Sequence, residues 1–233
     1  MATCGVGVEG EHAPLWLESV DLSTRASPPE ETVALIADLD DPGWAEMTRL
    51  PPSPQDLADE RRPGAAKREY FLHRRALTRS LVALHSKVRP DEARIAYDLH
   101  GAPRVLSPPE RFVSVAARGP LAAIAVSRRP VGVDLEPLGP AHEPVWHVLH
   151  EHERQSLEAL ESAERHERFL RIWTMKEAYL KALGLGFERD PSRIQISVRD
   201  GATRVLDAGA PAPTRSASWK TRGSWLLACF VGM

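Results

Sequence analysis

The clearest pattern of hydrophobic and polar positions in the first half of the chain runs from Ala65 to Val88. Apolar and small residues recur there at i, i+3, i+4 and i+7, and basic residues fill most of the remaining positions. This segment is therefore predicted to be an amphipathic helix. A second, largely helical region is predicted from Val145 to Gly184, where Gly184 and Gly186 provide the stop signal.

Short β-prone runs predict the strands. Leu15–Leu22 is predicted to be an opening strand, and Arg111–Leu138 contains three runs. Breaks at Ala117–Pro120 and Ser127–Pro130 divide these three runs into consecutive hairpins. The stretch "ARIAYDLHGAPRVL" predicts one more strand, followed by a Gly-Ala-Pro turn. The closing strands are predicted at Arg193–Val198, in "ATRVLDAG" and at Ser224–Gly232.

Two further stretches complete the first half of the chain. Pro28–Leu39 has Pro and Glu in its first turn and is predicted to be a helix, whereas the Pro-rich stretch Leu50–Gly64 is predicted to be a loop with one helical turn. The order of strand, helix and hairpin strands occurs twice, with its midpoint near Ser127, although no residue-level repeat is visible. The sequence therefore predicts an α+β fold of two lobes, residues 1–126 and 127–233.

Composition limits the classes of protein that need to be considered. The chain has 233 residues, of which 42% are hydrophobic and 27% charged, with a formal net charge of −2. These values are typical of a soluble globular protein and argue against a nucleic-acid partner. We see no signal peptide and no membrane-spanning stretch. The only cysteines, Cys4 and Cys229, are far apart in sequence, so we expect reduced thiols and a cytoplasmic protein.

Two separate stretches carry candidate chemistry. In "VGVDLEP", Asp134 and Glu136 point to the same side of a predicted strand, because strand side chains alternate. In "WTMKEAYLK", Glu177 could supply a third carboxylate, and Lys176 and Lys181 flank it. Three carboxylates with positions left for water and phosphate oxygen describe a Mg²⁺ site. Lysines beside a metal-bound diphosphate would neutralise the charge on a leaving phosphate.

A simpler interpretation exists for each stretch taken alone. Asp134 and Glu136 could end a strand at the surface, and Glu177 with Lys181 could form an ordinary i, i+4 ion pair. The occurrence of both stretches in this order favours the metal-site interpretation.

Together, Gly132-Val-Asp134-Leu-Glu136 and Trp173-Thr-Met-Lys176-Glu177-Ala-Tyr-Leu-Lys181 resemble the motif pair of the 4'-phosphopantetheinyl transferases. The similarity is to the two-lobed type, named after the activator of surfactin synthetase. "FLHRRALTRSLVA" looks like the Arg-bearing helix of the family's first lobe, and "HGAP" looks like its Gly-Lys-Pro turn.

The resemblance implies a function and a fold. Members of the family move the phosphopantetheine arm of coenzyme A to a serine of an apo acyl or peptidyl carrier protein and release adenosine 3',5'-bisphosphate. The implied fold is a monomeric pseudo-dimer of two similar α+β lobes, each with a small antiparallel sheet packed on a long helix. By the same resemblance Asp134, Glu136 and Glu177 bind Mg²⁺, and Lys176 and Lys181 contact phosphate.

Other roles follow from the resemblance alone. Glu153 falls where the family often has a Glu that helps to deprotonate the serine, although Glu151 is also possible. Arg75 and Arg79 fall where basic residues approach the nucleotide phosphates, so the first lobe would hold the nucleotide of coenzyme A.

The sequence departs from the family in two coenzyme A contacts. The family's His of the central hairpin is absent, since Ala116 and Ala117 occupy this region. Arg118 or Ser114 could replace that His, because a guanidinium binds phosphate well. The Lys of Gly-Lys-Pro is also absent at Ala102, and Arg104 could compensate.

These departures keep two other functions open. One is a repurposed relative that binds a carrier protein, or an intermediate tethered to it, without transferring the arm. The other is a non-catalytic module that binds anions through the Arg-rich helix, which could equally be a docking face for an acidic carrier protein or simply solvated. The histidines of "HVLHEHERQ" are predicted to lie on a solvated helix rather than in a metal site.

Overall fold

The computed structural model describes residues 15–17, 32–61, 68–98, 101–185, 188–199 and 202–233. These residues form two compact units, and the chain passes from the first to the second between Val131 and Gly132. Ser127, where the second lobe was predicted to begin, lies in the first unit because it pairs with Phe112. The assignment of the first lobe to the nucleotide stays a prediction.

The first unit contains a mixed sheet, a separate hairpin and a long helix. Its helices are α1 (Ala45–Thr48), α2 (Pro54–Glu60) and α3 (Arg68–Ser86), and a 3₁₀ turn at Pro42–Trp44 precedes α1. Its strands are β1 (Leu15–Leu17), β2 (Val33–Asp38), β3 (Arg94–Tyr97), β4 (Pro103–Ser107), β5 (Phe112–Arg118) and β6 (Leu121–Ser127). The sheet order is β1-β2-β6-β5, antiparallel except for β1 with β2. β3 and β4 form the hairpin, and α3 packs on β6.

Helix α3 confirms the helix predicted from Ala65 to Val88, although residues 65–67 lie outside the described residues. Phe71, Leu77 and Leu81 are buried on one side of it, as the spacing predicts. Leu77 and Leu81 belong to a core that also includes residues of β2 and β6. The amphipathic pattern therefore identified the helix and part of its buried surface, although Leu84 is 38% exposed.

The helix predicted at Pro28–Leu39 is wrong for the residues described. Residues 28–31 lie outside them, and Val33–Asp38 forms strand β2. β2 lies between β1 and β6, and its first five residues are all buried. A strand buried on both faces shows a continuous apolar run, and such a run cannot be told from a buried helix by periodicity.

The second unit contains two sheets and a long helix. Its helices are α4 (Glu151–Glu158) and α5 (Ser162–Leu183), with 3₁₀ turns at Trp146–Val148 and Pro191–Arg193. Its strands are β7 (Val131–Pro137), β8 (Ile194–Arg199), β9 (Ala202–Asp207), β10 (Ala210–Pro211), β11 (Thr214–Arg222) and β12 (Trp225–Gly232). The sheet orders are β11-β12-β7 and β10-β9-β8, and α5 packs on β12. Gly184 ends α5 in the left-handed region at φ 70°, as predicted; Gly186 lies outside the described residues.

Three details of the predicted elements need correction. β7 pairs with β12 rather than with β6, so Ser127–Pro130 does not close a second hairpin. β11 was not predicted, because "TRSASWKTR" has few apolar residues. α2 is longer than the single turn expected, and the capping box formed by Ser53 and Asp56 stabilises its start.

Each unit thus places a long helix against a small, mainly antiparallel sheet, and the protein is a mixed α and β structure. The pseudo-dimer arrangement stays a prediction. No helix within the described ranges is long and apolar enough to span a membrane.

A buried ion-pair network ties α2 to α3 in the first unit. Arg75 Nε lies 2.8 Å from Asp56 Oδ1, Arg75 Nη2 lies 3.2 Å from Asp59 Oδ2, and Arg79 Nε lies 3.2 Å from Asp56 Oδ2. Both arginines also donate to backbone carbonyls, those of Ile95 and Pro51. All four charged side chains are at most 5% exposed. Both guanidiniums are enclosed and neutralised within the unit, and their role as phosphate ligands stays a prediction.

The network also sets the protonation of Asp56. Burial acts to raise the pKa of this carboxyl, but the hydrogen bond from the Ser53 backbone and the charges of Arg75 and Arg79 outweigh burial, so the pKa lies below its usual value of 3.8. A carboxyl with a lowered folded-state pKa stabilises the protein above its unfolded pKa. This stabilisation is lost as the pH falls through the lower folded-state value.

Replacing Asp56 tests whether the network is structural. Asp56→Asn should lower the free energy of unfolding at pH 7 by about 3–5 kcal/mol, because two buried guanidiniums lose their shared counter-charge. Urea denaturation measures this change. The exposed Asp91, which pairs with Arg89, is the control, and Asp91→Asn should change stability by less than about 1 kcal/mol. Equal effects of the two variants would contradict a structural role for the network.

Candidate active site

The second unit brings the two sequence motifs together through a close backbone contact. A Cβ atom added at Gly132 on β7 would lie 1.7 Å from the carbonyl oxygen of Ala178 and 2.7 Å from the backbone nitrogen of Ala182, both on α5. No side chain larger than hydrogen fits there. Gly132 belongs to the strand motif, but the motif alone does not predict its role as the contact between strand and helix.

Asp134 and Lys181 meet two residues farther along β7. Lys181 Nζ lies 2.6 Å from Asp134 Oδ1 and 3.3 Å from the carbonyl oxygen of Val133. Asp134 is 5% exposed, whereas the Lys181 side chain is 30% exposed. The second oxygen of Asp134, Oδ2, is buried and has no hydrogen-bond partner among the described residues. The candidate site therefore contains a buried carboxylate with one oxygen paired to the Lys181 ammonium, which solvent can reach.

The other two predicted metal ligands lie on the same two elements. Glu136, two residues after Asp134 on β7, is 9% exposed, and Glu177 is half-buried on α5, one turn before Lys181. Within the described part of the chain no group of three or more His, Cys, Asp or Glu side chains is close enough to hold a metal ion. The three acids thus do not form a preassembled three-ligand cluster.

The donors nevertheless fit Mg²⁺ in their chemistry. This ion prefers carboxylate oxygens and commonly binds through one or two carboxylates together with water and substrate phosphates. Asp134 supplies a buried carboxylate oxygen with no partner within the described ranges. Without a bound cation, this oxygen is buried without the hydrogen bonds that water would provide. If phosphate oxygens of a diphosphate substrate complete the coordination, three protein carboxylates need not be close together beforehand.

Lys176 has a different position from the one predicted. Its side chain is fully buried, and Nζ donates to the carbonyl oxygens of Val148 and Pro191. It also lies 2.6 Å from Glu153 Oε2. Burial lowers the pKa of this ammonium below its usual value, although the Glu153 carboxylate opposes the shift. Lys176 is therefore enclosed by protein acceptors, and its contact with phosphate stays a prediction.

Glu153 is also enclosed by protein donors, and its role as a base stays a prediction. Besides Lys176, it accepts hydrogen bonds from the backbone nitrogens of His150 at 2.9 Å and Ile196 at 2.6 Å. It thereby caps α4 and contacts β8, so both of its carboxylate oxygens already accept from protein donors. Glu151, the alternative kept open, is exposed and accepts a hydrogen bond from Gln155.

The remaining predicted residues are exposed. Arg104 on β4 lies 2.8 Å from Asp98 and its side chain is 49% exposed, and Arg118 is exposed at the end of β5. Asp98 also accepts from the backbone nitrogen of Ala102, which closes the Gly-Ala-Pro turn. Both arginines stay predicted phosphate ligands.

A cavity of about 650 Å³ in the second unit lies apart from these acids. It is lined by residues of α4, α5 and β8 and by Trp219 of β11, and neither Asp134, Glu136 nor Glu177 lines it. The histidines predicted on a solvated helix lie before and at the start of α4, where His150 is the N-cap residue. No pattern in the sequence predicted this cavity.

Comparison with known proteins agrees with the motif pair. Residues 130–230 match the model of the 4'-phosphopantetheinyl transferase superfamily. This match confirms the predicted resemblance to that superfamily over these residues; the two-lobed type stays a prediction.

Relatives carry the same family name. The protein slr0495 of Synechocystis sp., provisionally named a 4'-phosphopantetheinyl transferase, is 32% identical over 127 residues, which cover 51% of each chain. HetI of Nostoc sp., named a 4'-phosphopantetheinyl transferase, is 28% identical over 170 residues, which cover 69% of this chain and 65% of HetI. The chain therefore spans about half of one relative and just under two thirds of the other.

A solved structure is also similar, at a greater distance. It is the crystal structure of holo-[acyl-carrier-protein] synthase of Thermotoga maritima, which is 20% identical with a TM-score of 0.35. The similarity covers 44% of this chain and 62% of that one. A TM-score this low does not establish a common fold.

Gly132→Ala tests the contact between β7 and α5. The added methyl group would overlap the Ala178 carbonyl, so β7 must move and the free energy of unfolding should fall by about 3 kcal/mol or more. Gly139→Ala is the matched control, because nothing lies within 4 Å of a Cβ at Gly139. Urea denaturation of both variants makes the comparison. Equal stability of the two variants would show that β7 and α5 are not in backbone contact.

Lys176→Met tests whether the buried pair is structural. It should cost about 3–5 kcal/mol of unfolding free energy, because the Glu153 carboxylate stays buried without its counter-charge. Adding Glu153→Gln should restore part of the loss, since Gln keeps the acceptor for the helix cap. A double-mutant cycle by denaturation measures the coupling. A Lys176→Met protein of wild-type stability that has lost its activity would instead favour a catalytic role.

Proposed function

We propose that the chain is a Mg²⁺-dependent 4'-phosphopantetheinyl transferase of the two-lobed type. It transfers the 4'-phosphopantetheine arm of coenzyme A to a serine of an apo acyl or peptidyl carrier protein and releases adenosine 3',5'-bisphosphate. The observation that carries the proposal is the contact between Asp134 and Lys181, which unites the two family motifs across 47 residues of sequence. The match of residues 130–230 to the superfamily supports it.

The residues present suit attack on a diphosphate. Such a reaction needs charge neutralisation and alignment more than a protein nucleophile. Asp134, Glu136 and Glu177 would hold Mg²⁺, which supplies positive charge against the oxygens of the diphosphate. Lys181, whose ammonium solvent can reach, is the lysine of the motif that remains available to a phosphate oxygen.

Deprotonation of the carrier serine needs a base within hydrogen-bond reach. Because Glu153 is enclosed, the exposed Glu151 is the better candidate of the two acids considered. On the nucleotide side, the exposed Arg104 and Arg118 are favoured over the enclosed Arg75 and Arg79. A cytoplasmic monomer that uses coenzyme A as its substrate completes the proposal.

The enclosed arginines also favour a second candidate function, that of a repurposed relative. With Arg75 and Arg79 neutralised by Asp56, two of the cations predicted for the nucleotide phosphates are engaged elsewhere. Such a relative would bind a carrier protein, or an intermediate tethered to it, without transferring the arm. The same observation weakens the anion-binding module, since these residues were central to its basic helix.

Intact-mass spectrometry distinguishes the two functions. The protein is incubated with an apo carrier protein, coenzyme A and Mg²⁺, and a parallel sample contains EDTA. Transfer predicts a mass gain of one phosphopantetheine arm on the carrier, and EDTA should abolish it. No gain across several apo carriers that a known transferase modifies would favour the repurposed relative.

Variants of the acids test the site in the same assay. Asp134→Ala and Glu177→Gln should each lower the rate of transfer roughly 100-fold or more, because the charge on the diphosphate loses its partner. Glu158→Gln, which changes an exposed acid at the end of α4, should leave the rate unchanged. Full activity of Asp134→Ala or Glu177→Gln would show that the proposed ligand set is wrong.

A further inference from the structure

Lys181 forms an ion pair with Asp134, so binding of a metal ion to Asp134 would change the surroundings of the Lys181 ammonium. Lys181 donates to Asp134 Oδ1 at 2.6 Å, and this oxygen belongs to a carboxylate proposed to hold a divalent cation. A divalent cation and an ammonium at the same carboxylate repel each other, and the repulsion is strong where the surroundings exclude water. Asp134 is 5% exposed, so its surroundings do exclude most water.

The ammonium is free to leave, whereas the carboxylate is not. The Lys181 side chain is 30% exposed and ends a flexible four-carbon stem near the C-terminal end of α5. Its other contact is a longer hydrogen bond of 3.3 Å to the carbonyl oxygen of Val133. Asp134 lies on a strand, and its oxygen Oδ2 is buried with no hydrogen-bond partner among the described residues.

The backbone around this pair does not depend on Lys181. β7 approaches α5 through Gly132, whose position is set against the backbone of Ala178 and Ala182. Movement of the Lys181 ammonium therefore leaves the spacing of strand and helix unchanged. The site can exchange one cation for another without rearranging its scaffold.

We propose that Lys181 is an exchangeable counter-ion, which neutralises Asp134 while no metal is bound and moves to an incoming phosphate oxygen when a divalent cation binds Asp134. This inference rests on the function proposed above. With no metal present, the ammonium reduces the repulsion that Asp134 and Glu136 would otherwise exert on each other. On loading, the displaced ammonium becomes a ligand for the substrate, so binding of metal and of diphosphate are coupled through one side chain.

The proposal gives Lys181→Met two effects of opposite sign. Loss of the competing ammonium should tighten the binding of Mg²⁺ in the absence of coenzyme A by about fivefold, the size of a partly exposed ion pair. Loss of a phosphate ligand should weaken the binding of coenzyme A in the presence of Mg²⁺ by a similar factor, because the ammonium reaches phosphate only once the metal has displaced it from Asp134. A side chain with a merely structural role would weaken both, and a bystander would change neither.

Isothermal titration calorimetry measures both affinities on the full chain. The samples are the wild type, Lys181→Met, Asp134→Asn, and Lys87→Met as a control that removes an exposed ammonium in the first unit. We expect tighter Mg²⁺ and weaker coenzyme A binding for Lys181→Met, loss of Mg²⁺ binding for Asp134→Asn, and no change for Lys87→Met. Circular dichroism confirms that each variant is folded.

The outcomes separate the exchange from the proposed function. If Lys181→Met binds Mg²⁺ as the wild type does or more weakly, while Asp134→Asn loses it, the exchange is wrong and the metal site stands. If Lys181→Met binds Mg²⁺ more tightly but coenzyme A equally well, the transfer of Lys181 to phosphate is wrong. If none of the folded proteins binds Mg²⁺, the metal site and the exchange both fail, and the coenzyme A titration then reports on the substrate alone.

Discussion

The candidate site depends on the backbone of β7 lying directly against the backbone of α5. This contact exists because residue 132 has no side chain, and a Cβ there would reach within 1.7 Å of the Ala178 carbonyl oxygen. The positions of the site residues follow from this contact. Asp134 lies two residues after Gly132 on the strand, and Lys181 lies about one helical turn after Ala178 on α5. A carboxylate and an ammonium 47 residues apart in sequence are brought within 2.6 Å of each other in this way.

The rotation of α5 about its axis is fixed by a second interaction, the buried pair of Lys176 and Glu153. Lys176 points into the unit, where it also binds the carbonyl oxygens of Val148 and Pro191. Because consecutive residues of a helix are about 100° apart, fixing Lys176 inward turns Glu177 away from that interior. Glu177 and Lys181, four residues apart, then share one side of α5. Lys176 of the motif thus anchors the helix, and the adjacent Glu177 places a carboxylate on the side of Lys181.

The sequence could predict the parts of this arrangement that depend on local periodicity. The strand period placed Asp134 and Glu136 together, and the helical spacing of Phe71, Leu77 and Leu81 identified the buried face of α3. It could not predict which charges are buried. Lysine is seldom fully buried, so the environment of Lys176 follows only from the positions of Glu153 and two carbonyl groups that are distant in sequence.

The same limit explains the arginines of α3. Arg75 and Arg79 resemble surface cations until α2 is placed beside them, and α2 was expected to be mostly loop. Strand β2 shows the corresponding limit in predicting secondary structure. Its unbroken apolar run reflects burial on both faces of the sheet, so it lacks the alternation that identifies a strand. In each case the missing information is the identity of a neighbour that is remote in the chain.

Burial divides the cations that the family resemblance suggested into two groups. Arg75, Arg79 and Lys176 are enclosed and each faces a carboxylate, so removing its partner would leave an uncompensated charge. Lys181 is partly exposed, and Arg104 and Arg118 lie at the surface of the first unit. A phosphate ligand must exchange its contacts as substrate enters and product leaves, and an enclosed cation with satisfied protein acceptors is poorly suited to this exchange. The exposed cations are therefore better suited to bind a phosphate, and among them Lys181 is the one that contacts a motif carboxylate directly.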